Sequence, residues 1–497
     1  MSKKIPRTMS TQHPDNANVP FFSNSSVLQG DDEIKEAYYA FSYLGVDEVM
    51  WDVEGKETDE FVVRKLLSDY PEFFKRKVIG KDIFITVRVP NPNYEKAEGK
   101  LLLETLESIP RSYDTAQVFY KDENAVPIFE VIVPMADVET CNRVYYYYKN
   151  IVVGKENKQF CDSNPEIRLK DWIGEFQPKK INIIPLFEDI NEIIKSDENI
   201  RNFLRDKIDE IEYQRVFLAR SDPAMNDSSL SVIIAIKIAL EKLYELQESI
   251  KVPIYPILGC GTAPFRGNFS PNTYRYVMNN YPSVSTFTIQ SAFKYDFSVK
   301  EVQRAIENIN LTPVKTPDFI SSKDRIINIM NKVSAEYKKQ LSEIVDLINN
   351  IAVFVPKRRA RKLHVGLFGY SRQTDEGITL PRVISFCAVL YSLGLPPDIL
   401  GLSALTEEDM KYVEIVFPRF KEKMAEILSM WNEDVLDLLP PSIRSDIKSV
   451  VNKFDFKVNP DHLSFSKDLV KRIKENKLDT KITDLIVASG KVRNFLG

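Results

Sequence analysis

Short hydrophobic runs recur along the first part of the chain, and each is followed by turn residues or by a helical pattern. Six runs have the length and the β-branched content of strands: 83–87, 128–133, 181–186, 215–218, 252–258 and 286–289. Strands that alternate with helices are typical of a parallel sheet. We therefore predict an α/β protein in which amphipathic helices, such as 230–250, cover a barrel.

Strand signals become rare after about residue 400, where segments 406–431 and 464–496 show apolar and charged faces at a helical period. We predict one catalytic unit over 1–497, with an α/β barrel over about 1–400 and a helical extension over about 401–497. The most apolar stretch, 384–395, has about half the length of a membrane span. It is expected to form a buried helix.

Polar side chains that can take part in catalysis or binding follow four of the predicted strands. They are Arg88, Glu188, Asp222 and Gln290. In a (β/α) barrel these positions face the active site. One such residue would be an ordinary charge at a strand end, but four at equivalent positions favour a functional site. Glu188 and Asp222 supply two carboxylates, which together with water suit octahedral Mg²⁺ or Mn²⁺ better than zinc.

Arginines are concentrated in the same candidate segments, and a planar guanidinium suits carboxylates and phosphates. They are Arg88, Arg220, Arg266, Arg372 and Arg382. The glycine-rich loop 259–267, which contains Gly261, has backbone N–H groups that suit an oxyanion, but it fits neither a P-loop nor a dinucleotide fingerprint. The basic run 357–362 is expected to be a solvated face or, if functional, a surface that gathers anionic substrates.

His13 is one of only three histidines and lies in a polar segment without helical or strand periodicity. Two interpretations stay open. It belongs either to a solvated N-terminal arm or to a site that moves protons, because imidazole titrates near neutral pH.

Charge and cysteine content exclude several classes of protein. The 67 basic and 71 acidic side chains give a formal net charge of −4, so no overall field attracts nucleic acid or an anionic membrane. The four cysteines are too sparse for a disulfide scaffold and lack the spacing of a zinc site. The basic N-terminus is not followed by the apolar core of a signal peptide. We expect a cytoplasmic protein with no membrane and no nucleic-acid partner.

Two blocks, 9–16 and 217–226, are the most specific part of a resemblance that runs from end to end. The chain closely resembles the short, archaeal-type phosphoenolpyruvate carboxylases. The resemblance implies a TIM-like (β/α)₈ barrel with additional helices, a divalent metal, and a homotetramer built as a dimer of dimers. It also implies conversion of phosphoenolpyruvate and bicarbonate to oxaloacetate and phosphate, through carboxyphosphate and a metal-stabilised enolate. A dicarboxylate such as aspartate or malate is an expected inhibitor.

The resemblance assigns roles to individual residues. His13 falls on an essential histidine, and Glu188 and Asp222 fall on metal ligands. The substrate-site matches are Arg88, Arg266, Arg372, Arg382, Gln290 and, more loosely, Trp51 with Asp52. Asn494 matches an asparagine that helps to bind an inhibitory dicarboxylate.

The chain also departs from the longer members of this family. Met225 and Asn226 stand where those enzymes carry a lysine and an aspartate, and the glycine-rich loop has one arginine instead of two. Two other functions stay open. Another metal-enolate barrel, such as an aldolase or a phosphoenolpyruvate mutase, would need no bicarbonate, and a non-catalytic sensor would bind phosphoenolpyruvate without turnover.

Overall fold

The computed structural model describes residues 4–56, 58–159, 167–362 and 379–497. Eight parallel strands close into a barrel in chain order, and the last strand pairs with the first. The strands are β1 (Thr8–Ser10), β2 (Glu48–Asp52), β3 (Phe84–Arg88), β4 (Glu130–Val133), β5 (Asn182–Phe187), β6 (Gln214–Ala219), β7 (Ile254–Gly259) and β8 (Thr286–Ile289). The predicted α/β barrel is confirmed, and the six predicted strands correspond to β3 through β8.

Sequence reasoning missed β1 and β2 because polar side chains interrupt their hydrophobic patterns. β1 has only three residues, and hydroxyl-bearing residues flank Met9. β2 begins at Glu48 and ends at Asp52. Both carboxylates are buried in ion pairs with arginines of other strands, so the apolar part of β2 is too short to stand out.

Helices surround the barrel and form the remainder of the regular structure. The α-helices are Asp31–Tyr39, Val62–Asp69, Pro71–Phe74, Gly99–Tyr120, Val138–Tyr146, Leu169–Ile173, Ile190–Ile194, Ser196–Leu204, Ser221–Asp227, Ser229–Ile250, Tyr274–Asn280, Ser291–Tyr295, Val299–Leu311, Lys323–Ala352, Val383–Leu393, Glu407–Val416, Phe420–Ile427, Pro441–Val451, Pro460–Lys474 and Lys481–Arg493. The helix predicted at 230–250 begins one residue earlier, where the Ser228 hydroxyl accepts a hydrogen bond from the N–H of Ser231. The buried helix expected at 384–395 is Val383–Leu393, and it ends at Gly394 with φ 78°.

No strand follows β8 among the residues that the structure describes. The long helix Lys323–Ala352 packs along Ser229–Ile250 of the outer layer. The described chain after β8 is therefore helical, and the boundary near residue 400 between barrel and helical extension stays a prediction. Within the described ranges, no single helix is long and apolar enough to cross a membrane; the pair Val383–Leu393 and Pro397–Ala404 passes that test together, but it is bent by 94°.

Side chains alternate between the barrel interior and the surrounding helices along each strand. The apolar interior consists of Met9, Met50, Ile132, Ile184, Leu186, Phe217, Ala219 and Ile257. Below it, Arg215 forms buried ion pairs with Glu48 at 2.7 Å and with Glu130 at 2.6 Å. This charged floor lies at the N-terminal ends of the strands, so the mouth that suits a functional site is at their C-terminal ends.

Candidate active site

Strand alternation decides which of the predicted residues enter the mouth. Glu188 lies two positions after the interior residue Leu186, so its side chain is directed inward. Arg220 lies one position after the interior residue Ala219, so its side chain is directed away from the mouth. A one-residue difference in position therefore separates a site residue from one that faces the outer layer.

Arg88, at the end of β3, is held in place by two carboxylates. Asp52 accepts hydrogen bonds from Nε at 2.7 Å and from Nη2 at 2.8 Å, and Glu54 lies 2.7 Å from Nη2. Lys56 also forms an ion pair with Asp52, and both of these side chains are buried. The acidic pair fixes one edge of the guanidinium, which orients Arg88 before any anion arrives.

Trp51 does not line the mouth, contrary to the prediction from the sequence. It lies between the inward-facing residues Met50 and Asp52, and its ring belongs to the hydrophobic layer outside the barrel. Its Nε1 donates a hydrogen bond to the carbonyl oxygen of Asp59 at 3.1 Å. The expected pair is therefore divided, with Asp52 at the site and Trp51 behind it.

Glu188 and Asp222 are close enough for the charge of one to affect the other. Burial, then Asp222 and Glu54, raise the pKa of Glu188 to about 8, although its carboxylate accepts a hydrogen bond at 3.0 Å from the N–H of Met135. Both side chains are partly accessible at the mouth. Crowded carboxylates of this kind fit a divalent cation, which would stabilise their charged forms.

The donor set suits Mg²⁺ or Mn²⁺ rather than a metal that needs a protein cage. Across the described ranges, no group of three or more His, Cys, Asp or Glu is arranged to hold a metal ion. Two carboxylates would leave several coordination positions for water and substrate oxygens, which is the usual arrangement for Mg²⁺. The residues present therefore fit the expected ion.

His13 is held at the mouth by the extension of β1. The N–H of Thr11 donates to the carbonyl of Ile289 at 3.0 Å, and the carbonyl of His13 accepts from the N–H of Ser291 at 3.2 Å. Nδ1 of the ring lies 2.9 Å from the hydroxyl of Thr11. The interpretation as a solvated arm is therefore wrong, and the segment is a built part of the barrel.

Burial, and then the charge around His13, keep its ring neutral. Burial, and then the nearby cations Lys56, Arg88, Arg266 and Arg361, hold the pKa of His13 well below its usual value. In the tautomer whose Nδ1–H donates to the Thr11 hydroxyl, Nε2 is left to accept a proton. It is a suitable base beside substrates that carry negative charge.

Arg266 and Gly261, in the loop after β7, lie together with Gln290, which directly follows β8. Arg266 is fully buried, and its guanidinium donates to Asp15 at 3.1 Å, to Gln290 at 2.6 Å and to the carbonyl of Gly497 at 2.9 Å. A Cβ atom at Gly261 would lie 2.9 Å from the Gln290 amide oxygen and 3.0 Å from the guanidinium. Glycine is needed here because the loop backbone packs directly on this polar cluster.

Arg220 lies outside the mouth, so its assignment to the substrate site is wrong. Its Nη2 donates to the hydroxyl of Ser229 at 2.8 Å, on a helix of the outer layer. The prediction rested on its position beside Asp222, and sequence adjacency does not reveal that the two side chains diverge.

Two cations of the site were missed by sequence reasoning, Lys56 and Arg361. Burial and then Arg382 lower the pKa of Arg361 well below its usual value, and Arg88 adds to this effect. Arg361, Arg382 and Arg88 therefore lie in one cationic group. Arg361 belongs to the basic run 357–362, and Lys56 follows β2, which was itself not recognised.

The basic run 357–362 is not a solvated face. Arg359 is buried between Glu33 and Glu36, at 2.8 and 2.5 Å. Arg358 donates to backbone carbonyls of the His13 segment, at Asn16 and Ala17. The run anchors the segment that carries His13 and presents Arg361 to the mouth.

The remaining residues singled out in the sequence are Arg372, Asn494 and Met225. Arg372 falls outside the described residues. Asn494 ends the last helix at φ 60°, and Met225 is buried in the outer hydrophobic layer. The position of Met225 therefore supplies no charge to the mouth.

Comparison with known proteins identifies the family. A family profile described as phosphoenolpyruvate carboxylase matches residues 5–497. The chain belongs to the phosphoenolpyruvate carboxylase family. The family predicted from the sequence is confirmed, and with it the expectation of an enzyme.

Relatives of this family match over most of their length. The phosphoenolpyruvate carboxylase of Methanospirillum hungatei JF-1 is 45% identical over 498 residues, which cover 99% of this chain and 100% of the relative. That of Pyrococcus furiosus is 51% identical over 410 residues, which cover 82% of this chain and 85% of the relative. Among solved structures, the HpcH/HpaI aldolase from Desulfitobacterium hafniense DCB-2 has 12% identity and a TM-score of 0.32, and covers 62% of this chain and 94% of its own.

Proposed function

We propose that this chain carboxylates phosphoenolpyruvate with bicarbonate and forms oxaloacetate and inorganic phosphate. Family membership supports the proposal, because relatives that match most of the chain bear the name phosphoenolpyruvate carboxylase. The observation that carries it is the grouping of a neutral histidine, two carboxylates and several cations at one barrel mouth. Such a site suits the reaction of one anion with another.

The cations offset the charge of the two substrates. A cation about 4 Å from an anion gains roughly 4 kcal/mol at an effective dielectric constant near 20, so several are needed for a phosphate ester beside bicarbonate. Arg88, Arg361 and Arg382 form one group, and Lys56 lies close to His13. In the proposal these residues bind the phosphate and carboxylate groups and keep bicarbonate beside the phosphorus atom.

Glu188 and Asp222 would hold Mg²⁺ or Mn²⁺. When bound, such an ion supplies Lewis-acid stabilisation of the negative charge that develops on an oxygen of the substrate. Burial and then the charge of Asp222 raise the pKa of Glu188, and this crowding of buried carboxylates supports the assignment.

Bond changes follow from these roles. An oxygen of bicarbonate attacks phosphorus and the bond from phosphorus to the enol oxygen breaks, which yields carboxyphosphate and the enolate of pyruvate. His13 accepts the carboxyl proton of carboxyphosphate, whose bond from carbon to the phosphate oxygen then breaks to release CO₂ and phosphate. The enolate carbon attacks CO₂ to form oxaloacetate. Water must be kept out, because protonation of the enolate would yield pyruvate.

A coupled assay tests this function. Phosphate release from phosphoenolpyruvate is measured with Mg²⁺, with and without bicarbonate, while malate dehydrogenase reports oxaloacetate. Equal, bicarbonate-dependent formation of both products is expected. A reaction that needs no bicarbonate would indicate another metal-enolate enzyme, and binding without turnover would indicate a sensor.

Substitution of the two carboxylates tests the metal assignment. Glu188→Gln and Asp222→Asn should each weaken Mn²⁺ binding, followed by electron paramagnetic resonance, by at least about tenfold, the lower range for loss of a metal-site partner. Glu192→Gln, on the next helix, where the carboxylate accepts a hydrogen bond from Asn199, is the matched control and should leave binding unchanged. Unaltered Mn²⁺ affinity in both site variants would remove these carboxylates from the metal site.

The remaining expectations stay predictions. They are the tetramer built as a dimer of dimers, inhibition by aspartate or malate through Asn494, the cytoplasmic location, and the use of oxaloacetate either to replenish the tricarboxylic acid cycle or in carbon dioxide fixation.

A further inference from the structure

An enclosed ion pair between Asp15 and Arg266 begins two residues after His13. Nη1 of Arg266 lies 3.1 Å from the Asp15 carboxylate, and neither side chain is exposed. Nε of Arg266 is buried too and has no partner among the described residues. No edge of this guanidinium therefore reaches the mouth, although the resemblance assigns Arg266 to the substrate site.

The Asp15 carboxylate joins three segments at this end of the barrel. One oxygen accepts a hydrogen bond from the N–H of Ala292 at 2.7 Å, in the helix that follows β8. The other accepts from Arg266 and, at 3.4 Å, from the N–H of Thr262, both in the loop after β7. The N–H of Asp15 donates to the carbonyl of His13 at 3.1 Å and closes a turn. Asp15 therefore ties the His13 turn to the segments after β7 and β8.

Arg266 holds the same segments from the other side of the pair. Its guanidinium also donates to the side chain of Gln290 at 2.6 Å and to the carbonyl of Gly497 at 2.9 Å. The N–H of Leu496 in turn donates to the carbonyl of Asp15 at 2.7 Å. Segments that are distant in sequence thus meet on these two side chains.

A buried ion pair of this kind fixes geometry more than it adds stability. The attraction between the charges is largely offset by the cost of taking both out of water. Burial raises the pKa of Asp15, and the charge of Arg266 opposes that shift. The pair therefore determines how the segments that carry it are arranged, and one of these segments also carries His13.

We propose that Asp15 and Arg266 are positioning residues, which hold the imidazole of His13 in place for proton transfer and do not themselves contact the substrate. The inference rests on the proposed carboxylation, in which His13 accepts the carboxyl proton of carboxyphosphate. The carbonyl of His13 accepts from the N–H groups of Asp15 and Ser291, so displacement of either segment moves the ring. A displacement near 1 Å typically costs about a hundredfold in rate.

Asp15→Asn and Arg266→Gln test the proposal, with phosphate, oxaloacetate and pyruvate measured separately. Asparagine has one acceptor oxygen where the carboxylate has two, so either Ala292 or Arg266 loses its partner. Each variant should lower oxaloacetate formation about a hundredfold and lower the ratio of oxaloacetate to phosphate. The KM for phosphoenolpyruvate should change by less than about twofold, because no contact with the substrate is lost.

The two substitutions combined separate a positioning pair from two independent roles. Residues that act as one unit are not additive, so the double variant should be no less active than Arg266→Gln alone. Losses that multiply in the double variant would overturn the proposal. So would a KM raised at least about tenfold in Arg266→Gln while Asp15→Asn is unaffected, because Arg266 would then contact the substrate.

Glu48→Gln is the matched control. It removes one partner of an equally buried ion pair, with Arg215, at the opposite end of the barrel. It should lower the melting temperature and leave the ratio of oxaloacetate to phosphate unchanged. A ratio that falls equally in Glu48→Gln and Asp15→Asn would overturn the proposal, since general loss of stability would then explain both.

Arg266→Lys keeps the proposal testable if the neutral variants do not fold. Lysine retains the charge beside Asp15 but lacks the planar fork that also reaches Gln290 and Gly497. The ratio of oxaloacetate to phosphate should fall in this variant too. An unchanged ratio would overturn the proposal.

Histidine NMR tests the pair without any measurement of activity. The chain has three histidines, and His13→Asn identifies the His13 signals in protein labelled with ¹⁵N-histidine. Asp15→Asn should shift the ring signals of His13 and leave those of His462 in place, whereas unchanged His13 signals would overturn the proposal. If the unaltered protein formed no oxaloacetate, the proposed carboxylation would fail, but a shift of the His13 signals would still show that the pair positions His13.

Discussion

Replacement of His13 by asparagine should change the products of the reaction rather than stop it. Asparagine keeps a polar group within reach of the Thr11 hydroxyl, which lies 2.9 Å from Nδ1 in the structure. It cannot accept the carboxyl proton of carboxyphosphate. The arginines, Glu188 and Asp222 remain, so attack of bicarbonate on phosphorus should continue while release of CO₂ from carboxyphosphate slows.

The size of this effect follows from the role of a general base. A positioned base typically contributes about 10²–10⁴-fold, or roughly 3–5 kcal/mol of transition-state stabilisation. Oxaloacetate formation should fall by that factor, whereas the KM for phosphoenolpyruvate should change little. Carboxyphosphate that is not decarboxylated is hydrolysed instead, and the enolate, which has no CO₂ to attack, is protonated. Phosphate and pyruvate should therefore appear in place of oxaloacetate.

The assay measures phosphate, oxaloacetate and pyruvate separately, with malate dehydrogenase and lactate dehydrogenase as the coupling enzymes. His462→Asn is the matched control, since His462 is also buried but lies beside Arg493, on the last helix. It should leave the ratio of oxaloacetate to phosphate unchanged. Equal oxaloacetate and phosphate from His13→Asn, at nearly the original rate, would refute the assignment of His13.

Three further predictions concern the loop, the pH dependence of stability and the barrel floor. Gly261→Ala should lower the rate of carboxylation about a hundredfold, which is the typical cost of displacing a site by about 1 Å. Gly154→Ala, whose added Cβ meets nothing within 4 Å, is the control and should have no effect. Equal activity of the two variants would contradict the close packing at the loop. Burial and then Arg493 lower the pKa of His462 to about 3, so below pH 6.5 the unfolded chain binds a proton that the folded chain does not, and stability is lost as pH falls. In urea denaturation, His462→Gln should reduce the loss between pH 7 and pH 5 by about 2 kcal/mol, and an identical loss in both proteins would contradict this. Arg215→Met should destabilise the fold by about 3–5 kcal/mol because it leaves two buried carboxylates unpaired, and an unchanged melting temperature would refute the ion network.

The fold was predictable from the sequence where strands are apolar on both faces. In β5, Ile184 and Leu186 face the packed interior while Ile183 and Phe187 face the outer helices, so its hydrophobic run is continuous. β1 and β2 were not predictable in this way, because Glu48 and Asp52 place charge inside the barrel. Their partners are distant in sequence, so no local pattern reveals them.

The site was predictable at strand ends and less so elsewhere. Glu188 and Arg88 lie an even number of residues from the interior positions of their strands, so their place at a strand end was enough to predict that they face the mouth. The predictions that Trp51 and Arg220 line the mouth were wrong because each residue lies next to an interior position and therefore faces the outer layer. Arg361 was missed because a run of basic residues does not show which member points inward, and that is decided by tertiary pairing of its neighbours with buried acids.

The transfer of oxygen from bicarbonate to phosphate is the most direct test of whether bicarbonate attacks phosphorus. The protein is incubated with phosphoenolpyruvate, Mg²⁺ and ¹⁸O-labelled bicarbonate, and the isotope content of the phosphate is read by ³¹P NMR while oxaloacetate is trapped as malate. A single ¹⁸O is expected in the phosphate, with the remaining label in the new carboxylate of malate. Phosphate without ¹⁸O, formed together with oxaloacetate, would contradict attack of bicarbonate on phosphorus.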